Sequence, residues 1–226
     1  MHVIETTQTL GELAATVPTA TKVFHRYGLD YCCGGRQSLA RACEESGLDA
    51  AEVLAAIRAD QAAAGSPADP ARRWLDRPLA ELVQFILERY HAPLREELPR
   101  LLALARRVEQ VHAGKPGCPL GLAQHLEGLR PYVESHLRKE EEILFPLILS
   151  EHRRRAGMPI QVMLEEHDGH GAALQAIRRL TGGLRLPEGA CATWRELYRA
   201  LGQLEIDLME HIHLENHVLF PRALSA

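Results

Sequence analysis

Two strings of eleven residues, His136 to Pro146 (HLRKEEEILFP) and His211 to Pro221 (HIHLENHVLFP), each set a histidine four residues before a glutamate and close on Leu-Phe-Pro. In a helix, the pair His136 and Glu140 shares one face a turn apart, and so does the pair His211 and Glu215. Imidazole nitrogen and carboxylate oxygen together suit a divalent or trivalent metal, which also offsets the negative charge of a buried carboxylate. Upstream stand two more histidines: His91 lies 45 residues before His136, and His167 lies 44 residues before His211. Each half therefore reads as a helix bearing one histidine followed by a helix bearing His-x-x-x-Glu, a hairpin written twice.

The apolar pattern puts these residues on inward faces. The stripe of one helix runs Leu122, Leu126, Leu129, Val133, His136, Glu140, Ile143, Leu147, and that of another Leu197, Leu201, Leu204, Leu208, His211, Glu215, Val218. Val83, Leu87, His91, Leu94, Leu98, Leu101 and Ile160, Met163, His167, His170, Leu174, Ile177 make the other two. A polar group buried without a partner costs about 2–7 kcal/mol and an ionised carboxylate more. Metal ions compensate that cost. One octahedral ion would use all six side chains, but Glu140 and Glu215 come from different helices and each can bridge two ions. Two ions, each with two imidazoles and two carboxylate oxygens, suit the set better; in six-coordinate iron this leaves a place for an oxo or hydroxo bridge and one exchangeable position apiece. Iron or manganese fits the mixed donors, and zinc is compatible with them. Taken singly, a histidine on an apolar stripe is more often a hydrogen-bonded core residue; four matched stripes outweigh that reading. The Leu-Phe-Pro endings read as packing plus a helix kink or stop. Off the layer, His112, His125, His152, His213 and His217 are expected at the surface or behind the ligands, and the rest of the run Glu140 to Glu142 on a solvated face.

The elements that must position this layer are helices. Aromatic residues make up only 5% of the 226-residue chain, among many Leu and Ala, which favours helix over sheet. Helical patterns cover roughly 78 to 111, 119 to 154, 159 to 181 and 192 to 217, separated by HAGKPGCP, RRRAGMP and TGGLRLPEG. Such spacing predicts an up-down-up-down bundle, with the first helix kinked or broken at Pro93 and Pro99. Residues 64 to 70, AGSPADP, have the composition of a linker. Ahead of it, short helices are expected near Thr9 to Thr16, after Pro18 through Tyr27, from Ser38 to Glu45, and from Asp49, as N-cap, to Ala63. The expected fold is all-α: a small helical domain over 1–65, a linker over 66–77 and a four-helix bundle over 78–226. A net charge of -4 without a Lys/Arg run offers no field for nucleic acid. The absence of an apolar span or leader pattern points away from a membrane and to the cytoplasm.

Five cysteines, two of them adjacent, do not form a disulfide framework and are expected as reduced thiols. In Tyr31-Cys-Cys-Gly-Gly35 the glycines make a turn that brings Cys32 and Cys33 to the start of the helix near Ser38, where a helix N-terminus lowers thiol pKa. Packing in a small core is the alternative for this pair and the expectation for Cys43, Cys118 and Cys191.

The paired strings ending in Leu-Phe-Pro resemble a hemerythrin-like domain, and YGLDYCCGGRQSLARAC is similar to the signature of the repair-of-iron-centres proteins, di-iron proteins that restore iron–sulfur clusters damaged by nitric oxide or oxidants. The resemblance spans essentially the whole chain. It implies a non-haem di-iron centre on His91, His136, Glu140, His167, His211 and Glu215, with Glu140 and Glu215 bridging, and functional cysteines at Cys32 and Cys33 that pass iron to a damaged cluster or apo-protein. His170 has no counterpart in the motif and is left as an extra imidazole ligand, a donor to the ligands or polar lining; Leu94, in the equivalent place after His91, cannot ligate. Two other functions stay open: an enzyme that reduces NO to N2O, and a module that stores or senses O2 or NO. Two cysteines cannot complete a four-thiolate cluster site, but two chains of a homodimer could.

Overall fold

Thr9 starts the first helix with a reciprocal cap. The Glu12 N–H donates to Thr9 Oγ1 at 3.1 Å and the Thr9 N–H donates to Glu12 Oε2 at 3.0 Å, which satisfies two backbone donors a helix start leaves open. In the computed structural model, which describes residues 4–17, 19–63 and 72–225, four short helices follow as the sequence predicts: α1 (Leu10–Thr16), α2 (Ala20–Tyr27), α3 (Leu39–Ser46) and α4 (Ala50–Ala63). Ser38 Oγ caps α3 by accepting the Arg41 N–H, and Asp49 accepts the Ala51 N–H at the start of α4. Gly28 and Gly47, at φ 70 and 68, close α2 and α3 in the left-handed conformation. Leu10, Leu13, Val23, Phe24, Leu39, Val53 and Ile57 are buried between them. The linker stretch 64–70 lies outside the described residues.

After α5 (Arg72–Asp76) come α6 (Leu79–Ile86), α7 (Ala92–His112), α8 (Leu122–Lys139), α9 (Phe145–Leu149), α10 (Gly157–Leu180), α11 (Ala192–Leu214) and α12 (Phe220–Leu224). The chain is all-α: among the described residues there is no strand, only one isolated bridge between Thr9 and Ser38. It divides into two compact units, one of Met1–Val83 with Met209–Ala226 and the other of Gln84–Leu208. Within the second unit α8 packs on both α7 and α10, and the ion pairs Arg100 to Glu196 (2.9 Å) and Arg178 to Glu205 (2.6 Å) tie α11 to α7 and α10.

The prolines act differently from expectation. Pro99 lies inside α7 without breaking it. It sits on the exposed face, where water reaches the carbonyl it leaves without a helical donor, while buried Leu98, Leu101, Leu102 and Ala105 hold the helix. Pro93, Pro146 and Pro221 each follow a π-helical turn, at Leu87–His91, Glu140–Leu144 and Glu215–Leu219. In an α-helix the proline ring clashes with the carbonyl four residues earlier. In all three places that carbonyl lies inside the π turn, whose wider loop, closed by N–H bonds from Ala92, Phe145 and Phe220 to residues five back, relieves the clash. Instead of a kink or stop, Leu-Phe-Pro marks a π turn.

Each such turn advances the inward face by a residue. The stripe predicted through Ile143 and Leu147 runs instead through Leu144 and Ile148, both buried, and leaves Ile143 57% exposed. Likewise Ile86, rather than Leu87, is the fully buried residue ahead of His91. Truncating Leu144 to Ala is expected to cost about 2–5 kcal/mol, against less than about 0.5 for Ile143→Ala. Urea unfolding of the two variants checks this; the opposite order would restore an uninterrupted α register.

Candidate metal centre

In the unit Gln84–Leu208, the last residue of one π turn and the first of another meet. Glu140 is wholly buried, and neither of its oxygens makes a hydrogen bond among the described residues. Its Oε2 lies 3.4 Å from Nε2 of His91 and 3.4 Å from Nε2 of His136, and its Oε1 is 4.0 Å from Nε2 of His167. The Nε2 atoms of His136 and His167 are 3.1 Å apart. The ligand atoms of His136, Glu140 and His167 all fall within 4.8 Å of one another.

What faces the other side of these rings decides their chemistry. His91 Nδ1 is 2.8 Å from Glu141 Oε1, and Arg95 grips that carboxylate with two N–H groups at 2.8 and 3.0 Å. His136 Nδ1 is 2.9 Å from Glu166 Oε2, whose other oxygen accepts from Lys139. Burial pushes both carboxyls up, but hydrogen bonds outweigh it, from Arg95 and His91 at Glu141 and from Lys139 and His136 at Glu166; both are held below the usual carboxylate range. Ionised carboxylates can only accept, so Nδ1 of each neutral ring carries the proton and Nε2 presents a lone pair toward Glu140. Lone pairs converging on a buried carboxylate repel unless a cation lies among them. The residues fit an iron site.

Sequence reasoning missed Glu141 and Glu166. Glu141 lay in a run assigned to solvent, and its only signal is Arg95, one turn beyond His91. Glu166 directly precedes His167, off the stripe. His170 is buried with its ring 4.6 Å from that of His136 and 4.8 Å from that of Tyr132. Tyr132 in turn donates to the Glu166 carbonyl at 3.1 Å, and only Gly169 leaves room for it, because a Cβ there would stand 2.5 Å from the hydroxyl.

The other unit holds the second His-x-x-x-Glu pair, where His211 Nε2 and Glu215 Oε1 are 3.0 Å apart and both residues are buried. The π turn that Glu215 opens also anchors the cysteine turn. Asn216 Nδ2 and His217 Nε2 both donate to the Cys32 carbonyl, each at 3.1 Å. His213 stacks on His217 at 5.3 Å and meets the edge of Tyr31 at 5.7 Å. Burial above all pushes the His213 imidazole down to about 3 and lowers His217 as well. His213 is buried and His217 half-buried against the cysteine turn, and their hold on it was not legible in the spacing. His152 is exposed, and His125 is half-buried with Nε2 3.1 Å from the Ala173 carbonyl.

Asp30 organises the cysteines: its Oδ1 accepts the Cys32 N–H at 3.1 Å and the Cys33 N–H at 2.9 Å and lies 3.2 Å from Cys32 Sγ. The two sulfurs are 3.6 Å apart and reduced. Asp30, Cys32 and Cys33 present three ligand atoms within 4.8 Å of one another. The expectation of a lowered thiol pKa is reversed at Cys32: the Cys33 thiol, burial and Asp30 all raise it well above the ordinary range. The turn does not reach the helix start, because α3 begins at Leu39 and Ser38 already caps it.

A bundle with buried histidines and glutamates at this spacing defines a class, and the comparisons agree with it. Residues 82–223 match the Hemerythrin HHE cation binding domain, and residues 6–61 match a Domain of Unknown function (DUF542). The chain is 49% identical over 215 residues to the iron-sulfur cluster repair protein YtfE of Edwardsiella ictaluri, covering 95% of this chain and 96% of the relative. It is 46% identical to the YtfE proteins of Pectobacterium atrosepticum and Yersinia pseudotuberculosis, covering 96% of each chain. The chain belongs to the family of the iron-sulfur cluster repair protein YtfE. Among the described residues no helix is long and apolar enough to cross a membrane.

Gly35 is where this packing is least forgiving, since a Cβ would lie 2.3 Å from His217 Nε2 and 2.4 Å from the Tyr31 carbonyl. Gly35→Ala is expected to destabilise the protein by about 1–3 kcal/mol. Gly128→Ala, on α8 with nothing within 4 Å, is expected to stabilise it by about 0.5–1 kcal/mol. Thermal unfolding of both tests the contact; equal shifts would remove the close approach at Gly35.

Proposed function

We propose that this chain is a non-haem di-iron protein that restores iron–sulfur clusters damaged by nitrosative or oxidative stress, by supplying iron to the damaged or cluster-free protein. The observation that carries the reading is Glu140, fully buried without a hydrogen bond and faced by three imidazole nitrogens. His91, His136, Glu140 and His167 form one set and His211 with Glu215 the other; these six residues would hold the two iron ions. The family match across 82–223 takes in all six, and the relatives' name supports cluster repair as the task. Glu141 and Glu166 keep His91 and His136 in the ligating tautomer, and His170 lines the site beside His136. When bound, iron supplies exchangeable positions open to NO or O2.

Iron must also leave, and the bond from the Cys32 carbonyl to Asn216 and His217 connects the thiol turn to the residues next to Glu215. Asp30, Cys32 and Cys33 offer a mixed oxygen and sulfur stop for iron on its way out. Here 1–65 serves as the delivering part and 78–226 as the storing part, joined by 66–77, in the cytoplasm, where free thiols persist.

His136→Ala and Glu140→Ala are expected to lose most bound iron by metal analysis, and Glu166→Gln to weaken iron binding by about 10–100-fold. Full occupancy in the first two would overturn the ligand set. Replacing both Cys32 and Cys33 with Ser is expected to leave iron content intact and abolish cluster restoration in a purified assay, whereas unchanged restoration removes the thiols from the transfer.

A further inference from the structure

A second reactive group lies where α7 ends and α11 begins, among residues of the unit Gln84–Leu208. His112 is the last residue of α7, and Cys191 stands just ahead of α11 with its carbonyl accepting the Arg195 N–H at 3.0 Å. Cys191 is therefore the N-cap of a helix of 23 residues. His112 Nε2 is 3.1 Å from Cys191 Sγ. The imidazole is buried, its ring 5.1 Å from that of Trp194, and its Nδ1 meets no hydrogen-bond partner.

That asymmetry fixes the direction of the bond. A neutral imidazole carries one N–H, and burying it unsatisfied at Nδ1 costs about 1–3 kcal/mol; on Nε2 it points at the sulfur. Cys191 also stands at the N-terminal end of α11, whose first backbone N–H groups have no helical acceptor. A sulfur that collects donors from an imidazole and a helix N-terminus is stabilised as thiolate. The Trp194 N–H is the largest cause holding the Cys191 thiol below its usual range, whereas burial raises Cys43 and Cys118. Cys191 is only half-buried, so a small reagent reaches it.

We infer that Cys191 and His112 form a peroxide-reactive thiolate–imidazole pair, separate from the iron ligands and from Cys32 and Cys33. Cys191 Sγ attacks one oxygen of a hydroperoxide; the S–O bond forms and the O–O bond breaks. The sulfur is oxidised by two electrons to the sulfenic acid, the peroxide is reduced, and the departing hydroxide takes a proton from solvent to become water. His112 Nε2–H donates to the sulfur, which positions it and stabilises its charge before attack.

The test treats the iron-loaded full chain with less than one equivalent of hydrogen peroxide in the presence of dimedone, and maps adducts by peptide mass spectrometry. Cys191 is expected to carry about tenfold more adduct than Cys118, whose thiol burial holds above its usual range. His112→Ala is expected to lower Cys191 labelling about tenfold, and His112→Asn, which keeps a donor, to lower it less. Equal labelling of Cys191 and Cys118 would overturn the proposal, and so would a Cys191 rate indifferent to both substitutions, the pattern of iron-generated radicals. Should neither variant fold, the pH profile of iodoacetamide alkylation in the unaltered chain decides: a Cys191 midpoint below that of Cys118 supports the pair, and coincident midpoints refute it.

Discussion

A wholly buried carboxylate that makes no hydrogen bond among the described residues is the constraint to which the rest of this protein answers. Glu140 would be costly in that place in any uncompensated form, since a buried ion without a partner loses its hydration for nothing. The surroundings make the position worse for a carboxylate alone, because His91 and His136 turn Nε2, not N–H, toward it. That orientation is imposed from outside by Glu141 and Glu166, themselves held by Arg95 and Lys139. Two concentric sets of charge result: an outer set that is satisfied and an inner set that is satisfied only with a cation present. Folding around such a centre and loading it are then coupled, since the ion removes a repulsion that the folded chain alone retains.

The backbone answers the same constraint. A regular α-helix cannot carry a proline six residues after the glutamate without a clash one turn earlier, and the π turn that relieves it begins at Glu140 in one helix and at Glu215 in another. In the helix of His91 the order is reversed, the π turn ending at the histidine with Pro93 two residues beyond. The wide turns thus end at His91 and begin at Glu140 and at Glu215. They also swap which apolar residues face inward beyond Glu140, so that Leu144 and Ile148 pack while Ile143 meets water.

Much of this was legible in the sequence, and the gaps have a common cause. Every residue that apolar periodicity set on the inward faces of α8, α10 and α11, as far as the glutamates, is buried, because a 3.6-residue repeat is a global property of a helix. The pattern failed beyond Glu140, at Ile143 and Leu147, because one local π turn breaks the repeat and periodicity cannot see an inserted residue. The short N-terminal helices were legible through their caps, Thr9, Ser38 and Asp49, which act within four residues. Glu141, Glu166, His213 and His217 were not, since each acts on a residue from another helix or turn. Proline was misread at position 99 for a related reason: its cost depends on which face it occupies, and that is a tertiary fact.

The thiols show most clearly how identical side chains diverge by surroundings. Cys32 has a carboxylate, a second thiol and little water around it, so its proton stays; its backbone N–H and that of Cys33 are already spent on Asp30. Cys191 has the opposite setting, with His112 Nε2 at its sulfur and the N-terminus of α11 beside it, where the Trp194 N–H above all holds the thiol below its usual range. A thiol that keeps its proton next to a carboxylate, as Cys32 does, is a poor nucleophile but an adaptable soft site, because an arriving cation can displace the proton and share the Asp30 charge. A donor-rich single thiol is a poor cation site, since its neighbours are already positive at the sulfur, and a good nucleophile. The difference between these sulfurs follows from which group, an acceptor or a donor, the fold sets beside each one.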